Sequence, residues 1–188
     1  MTGRDVVDSP PFPAGITVQQ SADELRIVRR WNRLAGIGLL AFAFVWDGFL
    51  LVWYLAAFSG HAPLIAFLFP IVHVIIGIAL AYSGLANAFN TTTISVRSGR
   101  LTVVHNPIRW RAPMPISIYD LQQVFVKKHI RSGKHGRTTT YSVHALLLSG
   151  RSIGLVSGLD SREQAQFLER RLEQYLGLID SPVAGEMS

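Results

Sequence analysis

The sequence predicts an α+β membrane protein: a two-helix transmembrane hairpin joined to a small β-barrel or sandwich of about seven strands that a C-terminal helix closes. Three observations predict it. Residues Leu34–Phe58 and Leu64–Ala86 form two apolar runs separated only by Ser59-Gly60-His61-Ala62-Pro63, and each supplies the roughly 20 mostly apolar residues that span a hydrocarbon core of about 30 Å. Short β-branched or alternating segments lie on both sides of the runs. Near Ser161 the apolar period changes from two to that of a helix.

The totals set further bounds. Of 188 residues, about 50 are assigned to the membrane, which leaves one modest domain. A net charge of +6 and a pI near 10.2 favour anionic lipid headgroups or an acidic partner over an acidic-substrate pocket. A chain held in the membrane is expected to bind no nucleic acid. The chain has no cysteine, which excludes disulfides, thiolate metal ligands and thiol nucleophiles. Met1–Ala14 lacks an apolar core, so the first helix is expected to act as its own insertion signal.

Taken in order, residues 1–14 carry Pro10, Pro11 and Pro13 among polar residues and are expected to form a disordered tail. Residues 15–33 predict a β-hairpin belonging to the cytoplasmic domain: Ile16 and Val18, then Leu25 and Ile27, alternate with polar neighbours around the turn Ser21-Ala22-Asp23. A competing reading, an amphipathic helix from Ser21 to Arg33, draws on Ser21-x-x-Glu24 as a capping box. The period of two favours strands.

Residues 34–89 form the hairpin. Arg26, Arg29, Arg30 and Arg33 precede it, Arg97 and Arg100 follow it, and the connection has no Lys or Arg. Positive flanks stay cytoplasmic, so both termini are expected there. Trp31 and Tyr82 fall at the inner interface, and Trp53 and Tyr54 at the outer one. Asp47 and His73 are the one ionisable residue of each run, and both lie thirteen positions from Gly60. An antiparallel pair turning at Gly60 sets them opposite each other, with Ala43 opposite Gly77, Leu39 opposite Ala81 and Gly36 opposite Gly84. Small residues permit close helix approach in lipid. The predicted seam is therefore Gly36, Ala43, Gly77, Ala81 and Gly84, with Asp47 and His73 in contact across it. That pair admits two roles, a structural clasp or a proton or ion path, and two helices enclose no pore, which favours the clasp.

Residues 90–178 make up the main β domain. Thr91–Val96 and Leu101–His105 form a hairpin about Arg97-Ser98-Gly99-Arg100. A Pro-punctuated connection carries Trp110 between Arg109 and Arg111. Ile116–Lys128 supplies one strand, which Tyr119-Asp120-Leu121-Gln122 has the composition to bend; Thr138–Leu148 is the clearest strand, and Ser149-Gly150-Arg151 turns it into Ser152–Val156. In the closing helix Ala165, Leu168, Leu172, Tyr175 and Leu176 share one face. Asp160 with Glu163, or Ser161 with Gln164, caps its start, and Gly177 suits its end. Arg162, Glu169, Arg170 and Glu173 read as its solvated face. Residues 179–188 are a polar tail.

The segments Asn90-Thr91-Thr92-Thr93-Ile94-Ser95-Val96, Gly99-Arg100-Leu101-Thr102-Val103, Ile118-Tyr119-Asp120-Leu121-Gln122-Gln123-Val124, Gly154-Leu155 and Glu163-Gln164-Ala165 resemble the bacterial PH-like (pleckstrin-homology-like) domain membrane proteins, a group largely without assigned activity. The resemblance covers about Asn90–Leu178. It implies a cytoplasmic PH-like module on a bacterial inner-membrane protein, with no catalytic residues. In that group the helices precede a complete domain, whereas here two strands precede the hairpin, so the domain is read as interrupted by the membrane insert. Phosphoinositide recognition by eukaryotic relatives does not carry over, because the first strand turn, Ser21-Ala22-Asp23, has no Lys or Arg.

A search for chemistry yields one basic interval. Lys127, Lys128, His129, Arg131, Lys134, His135 and Arg137 crowd what is expected to be a loop loosened by Ser132-Gly133 and Gly136. Lys127, Lys128, Arg131, Lys134 and Arg137 are the candidate headgroup- or partner-binding residues; a merely solvated loop is the competing reading. The histidines His61, His73, His105, His129, His135 and His144 show no metal-ligand spacing, and His144 reads as a satisfied strand residue. No phosphate-cradling glycine loop or nucleophile elbow is found. The expected function is thus a non-enzymatic inner-membrane protein without catalytic, metal or cofactor site, which binds lipid, a protein partner or a second copy of itself. The alternative is an accessory subunit of a transporter or channel that uses Asp47 and His73.

Overall fold

The computed structural model describes residues 13–60, 62–109, 112–133 and 136–178. The expected tail 1–14 apart from Pro13 and Ala14, the expected tail 179–188, and His61, Trp110, Arg111, Lys134 and His135 lie outside these described residues. The chain is α+β, with two helices long and apolar enough to cross a membrane and with two β-sheets. It divides into two units: the described parts of Met1–Arg29, Thr93–Val103 and Pro113–Ser188 form the first, and Arg30–Thr92 with Val104–Ala112 the second.

In the first unit, the hairpin of β1 (Ile16–Gln20) and β2 (Glu24–Arg30) is closed by Ser21, whose N–H donates to Glu24 O at 2.8 Å and whose Oγ accepts from Glu24 N at 3.2 Å. The Ser21/Glu24 pair that mimics a capping box is thus a turn lock. Strands β3 (Thr91–Arg97), β4 (Arg100–Asn106) and β5 (Met114–Ser117) extend the sheet in the order β1-β2-β3-β4-β5. A 3-10 turn at Ile118–Asp120 then leads to β6 (Leu121–Gly133), which pairs with β7 (Gly136–Leu147), and β7 with β8 (Ser152–Leu159), as a separate three-stranded sheet.

Two expectations are corrected here. The two sheets remain distinct, so no barrel closes. Among the described residues the strands number eight, because the turn at Ile118–Asp120 breaks the expected strand Ile116–Lys128 between the sheets. Once Asp120 ends β5's direction, Leu121 can begin a strand of the other sheet, and Leu148 N donates to Asp120 O at 2.8 Å to hold the corner.

Inward side chains of both sheets form one apolar core: Leu25, Ile27, Ile94 and Leu101 from the larger sheet, and Val124, Val126, Val143, Ala145 and Leu159 from the smaller, are all almost wholly buried. Helix α4 (Arg162–Leu176) adds Ala165, Leu168 and Leu172. Ser161 caps it, accepting from Gln164 N at 3.4 Å, and Gly177 at φ 65° ends it in the left-handed region that favours glycine. Its polar side is not wholly solvated as expected. Glu173 is buried, and Glu169 Oε1 accepts from Val126 N at 2.8 Å, which occupies a donor on the otherwise open edge of β6.

In the second unit, α1 (Arg33–Ser59) starts at Asn32, whose side chain accepts from Ala35 N at 3.0 Å. The second apolar run is not one helix. It forms the single turn α2 (Ile65–Leu68) and then α3 (Ile71–Phe89), with Phe69-Pro70 between. Proline supplies no N–H, so Ala66 O loses its helical donor; Trp53 Nε1 donates to Ala66 O at 3.0 Å and Tyr54 OH to Phe67 O at 3.1 Å. These rings satisfy the carbonyls that the break exposes, which an apolar medium would penalise.

Buried positions on α1 are Gly36, Ala43, Leu50 and Ala57, and on α3 Gly77, Gly84 and Ala86. The seven-residue spacing is that of a left-handed antiparallel pair. A Cβ on Gly36 would overlap Ala88 N and lie 2.8 Å from Ala88 Cα, so only glycine fits that crossing. The remaining faces are apolar and open: Leu34 and Phe44 are each 81% exposed, and Phe58, Val45, Ile71, Ile75 and Ile78 are exposed as well.

Candidate functional site

The predicted contact between Asp47 and His73 is not made. Asp47 faces Gly77, where an added Cβ would overlap Asp47 Oδ1 and lie 2.9 Å from Cγ. No hydrogen bond or ion pair joins Asp47 to His73 among the described residues. The helices are offset by one turn from the predicted pairing, since Gly36 meets Ala88 rather than Gly84, and Gly84 meets Leu40. The physical reason is the turn: α1 persists to Ser59 and helix resumes at Ile65, so the connection centres near Ala62 and not Gly60. His73 instead stacks on Trp46 (ring centroids 5.7 Å apart) and Phe69 (5.2 Å), and Trp46 Nε1 donates to His73 O at 3.1 Å. Its Nδ1 is buried with no hydrogen-bond partner. Of the remaining seam residues, Gly36, Ala43, Gly77 and Gly84 are buried and Ala81 is half-buried.

The basic interval folds differently from the expected loop. Strand β6 runs to Gly133 and β7 starts at Gly136, so Lys127, Lys128, Arg131 and Arg137 lie on a regular antiparallel ribbon. Its last rung shared with β8 is Tyr141↔Leu159. Beyond it five residues of each strand, His129–Gly133 and Gly136–Thr140, continue as two strands alone, about 16 Å at a strand's rise.

Three hydrogen bonds fix which end of the first unit the ribbon leaves. At one end Ile118 N donates to Gly99 O (3.0 Å) and Leu148 N to Asp120 O (2.8 Å), where β6 begins. At the other, Arg29 Nη2 donates to Gly158 O at 2.9 Å. The ribbon extends past this second end, which carries Arg29. Arg29 is buried, and that burial pushes its guanidinium below its ordinary value against the opposing charge of Asp160; its Nε has no partner.

Register divides the cations between the two faces of the ribbon, because directly paired residues share a face. One face carries Lys127 opposite Ser142, His129 opposite Thr140 and Arg131 opposite Thr138. The other carries Lys128 opposite Tyr141, exposed Ile130 opposite Thr139, and Arg137 opposite Ser132. On the first face a polar chain runs across three strands: His129 Nε2 is 2.7 Å from Ser142 Oγ, Ser142 Oγ 2.8 Å from His144 Nε2, and His144 Nδ1 3.4 Å from Ser152 Oγ. Lys127 Nζ sits 5.1 Å over the ring of buried Phe125, and that ring lies 5.6 Å from His144. Burial, then Lys127 and His129, push His144 below its ordinary value.

Residue-level reading found the cations but not Ser142, Phe125 or the role of His144. The alternation within Thr138–Leu148 places Ser142 and His144 on one face; the pairing that brings His129 to Ser142 requires the register. Among the described residues no group of three His, Asp or Glu is placed to hold a metal ion. No protein-family model matches the chain, and no curated protein matches it.

Proposed function

We propose that the protein is a non-enzymatic bacterial inner-membrane protein with both termini cytoplasmic, in which α1 and α3 span the bilayer and the β unit is a PH-like module docking on anionic headgroups. The observation that carries this reading is the cationic ribbon itself, whose strands β6 and β7 carry Lys127, Lys128, Arg131 and Arg137 and run on beyond the last rung shared with β8. The open apolar faces of α1 and α3 support a lipid surrounding, since soluble proteins rarely expose contiguous apolar area on this scale. Each ribbon cation near an anionic surface contributes about 1 kcal/mol. Two packed sheets with a helix at the C-terminus support the PH-like resemblance.

The test uses the absence of cysteine. A single Ser132→Cys, carrying an environment-sensitive dye, reports on the ribbon of the full-length chain in lipid discs. A shift is expected in discs containing phosphatidylglycerol and not in phosphatidylcholine alone. It should weaken with salt and vanish when Lys127, Lys128, Arg131 and Arg137 become Gln. No shift in anionic discs overturns the docking role, and a protein copurifying in stoichiometric amount makes the chain an adaptor.

A second reading, an accessory subunit of a transporter or channel, is favoured by one observation. Within the apolar hairpin Asp47 has no hydrogen-bond partner among the described residues, and His73 Nδ1 is buried without one. Ionisable groups at such depth are costly and often functional. Loss of function in Asp47→Asn with normal assembly would support it.

A further inference from the structure

The register of the ribbon sorts its cations into two unlike faces, and among the described residues only one of them carries histidines hydrogen-bonded beside the cations. We propose that the face bearing Lys127, His129 and Arg131 is a phosphate site for anionic lipid headgroups whose strength is gated by protonation of His129. This rests on the membrane-docking reading above and adds to it the ligand group, the face and the control.

The geometry carries the argument. Lys127, His129 and Arg131 alternate along β6, so their side chains stand about 6.7 Å apart on one face. Each is paired across the ribbon with a hydroxyl, from Ser142, Thr140 and Thr138 in turn. A phosphate oxygen that meets His129 or Arg131 also meets a threonine hydroxyl, whereas Ser142 is buried and engaged by the two histidines. The hydrogen-bond chain gives His129 a defined part in this. Ser142 has a single hydroxyl proton to place between His129 Nε2 at 2.7 Å and His144 Nε2 at 2.8 Å. Burial, then Lys127 and His129, disfavour a proton on His144, and in its neutral ring Nε2 accepts from Ser142 when Nδ1–H points to Ser152 Oγ. His129 then donates from Nε2 to Ser142 Oγ, and its Nδ1, which has no partner among the described residues, is left for ligand. In the imidazolium both ring nitrogens donate, so a proton on His129 completes the set without breaking any bond of the chain.

The surroundings set the sign. Strands β6, β7 and β8 contain no Asp or Glu. Among the described residues the charged or titratable groups on this face are Lys127, His129, Arg131 and His144, with Lys128 and Arg137 on the opposite one, and α4 brings Glu169 to the edge of β6 at Val126 N. A phosphate bound beside the ring favours the charged imidazolium. Proton and phosphate therefore assist each other, by reciprocal linkage. Because histidine is the side chain that changes charge between about pH 5 and 8, docking should tighten on mild acidification. One added cation at the surface corresponds to about fivefold.

The experiment titrates the full-length Ser132→Cys dye-labelled chain in phosphatidylglycerol-containing discs from about pH 7.5 to 5.5. The docked fraction should correspond to about fivefold tighter binding at the acid end. His129→Gln should give a flat profile, and His129→Lys should reach at the alkaline end the docking that the parent shows at the acid end. The gain expected of His129→Lys separates the gate from mere damage to the fold. Docking without pH dependence, an unaltered pH dependence in His129→Gln, or no gain in His129→Lys each overturns the gate and leaves docking standing. No docking at any pH overturns the docking reading and the gate together.

Discussion

Arg29, Gly36, Glu169 and His144 each show how one atom's surroundings decide what a residue contributes. Arg29 Nη2 is bonded to Gly158 O across the sheets, so Arg29→Ala deletes a buried charge-assisted hydrogen bond and should destabilise the β unit by about 2–3 kcal/mol in chemical denaturation. At Gly36 the obstacle to a side chain is the backbone of Asn87 and Ala88, whereas Gly38 has nothing within 4 Å. Reversible unfolding in lipid should therefore show Gly36→Ala costing about 1–3 kcal/mol, with Gly38→Ala within about 0.5 kcal/mol of the parent. Glu169→Ala strands the Val126 N–H and should cost about 1–3 kcal/mol, most of which Glu169→Gln recovers through its carbonyl oxygen. His144 is depressed in the folded state, so the unfolded chain takes up the proton first as pH falls. Stability from this group is complete above the unfolded value of about 6.5 and is lost as pH drops through the folded one. Denaturation midpoints should fall below about pH 6.5 in the parent and less steeply in His144→Gln.

At the scale of elements, the helix hairpin shows what a symmetric reading of a turn omits. The composition of the seam is legible in the small residues at seven-residue spacing, but its register depends on where helix ends and resumes, and a shift of two residues in the turn's centre displaces every partner by one helical turn. Asp47 and His73 lie in different contacts as a result. Double-mutant analysis of Asp47→Asn and His73→Gln should give a coupling below about 0.5 kcal/mol, as for sites with no shared partner. The ribbon makes the converse point. Its glycines suggest a loose loop, yet Thr138, Thr139 and Thr140 are β-branched and favour the extended pairing opposite Arg131, Ile130 and His129.

At the scale of the whole molecule, the β unit is assembled from segments on both sides of the helices. Leu25 and Ile27 of β2 are completely buried in its core, so a fragment of residues 90–178 should lack a cooperative unfolding transition. Residues 13–31 joined to 90–178 should restore it. A short turn is enough for that join, because Trp31 N donates to Asn90 O at 3.1 Å and the two chain ends are adjacent. Circular dichroism melts of the two fragments compare them directly.

The sequence by itself determined the two long apolar helices, the hairpins on either side of them, the C-terminal amphipathic helix with its caps, and the position of the cations. These follow from local period, turn residues and charge, which need no knowledge of distant chain. The tertiary structure alone decided the strand count, the open two-sheet arrangement, the offset of the helix pair and the convergence of His129, Ser142 and His144. Each of these depends on which residues meet across long separations, and a helix end or a one-residue change of strand register reassigns all of them at once.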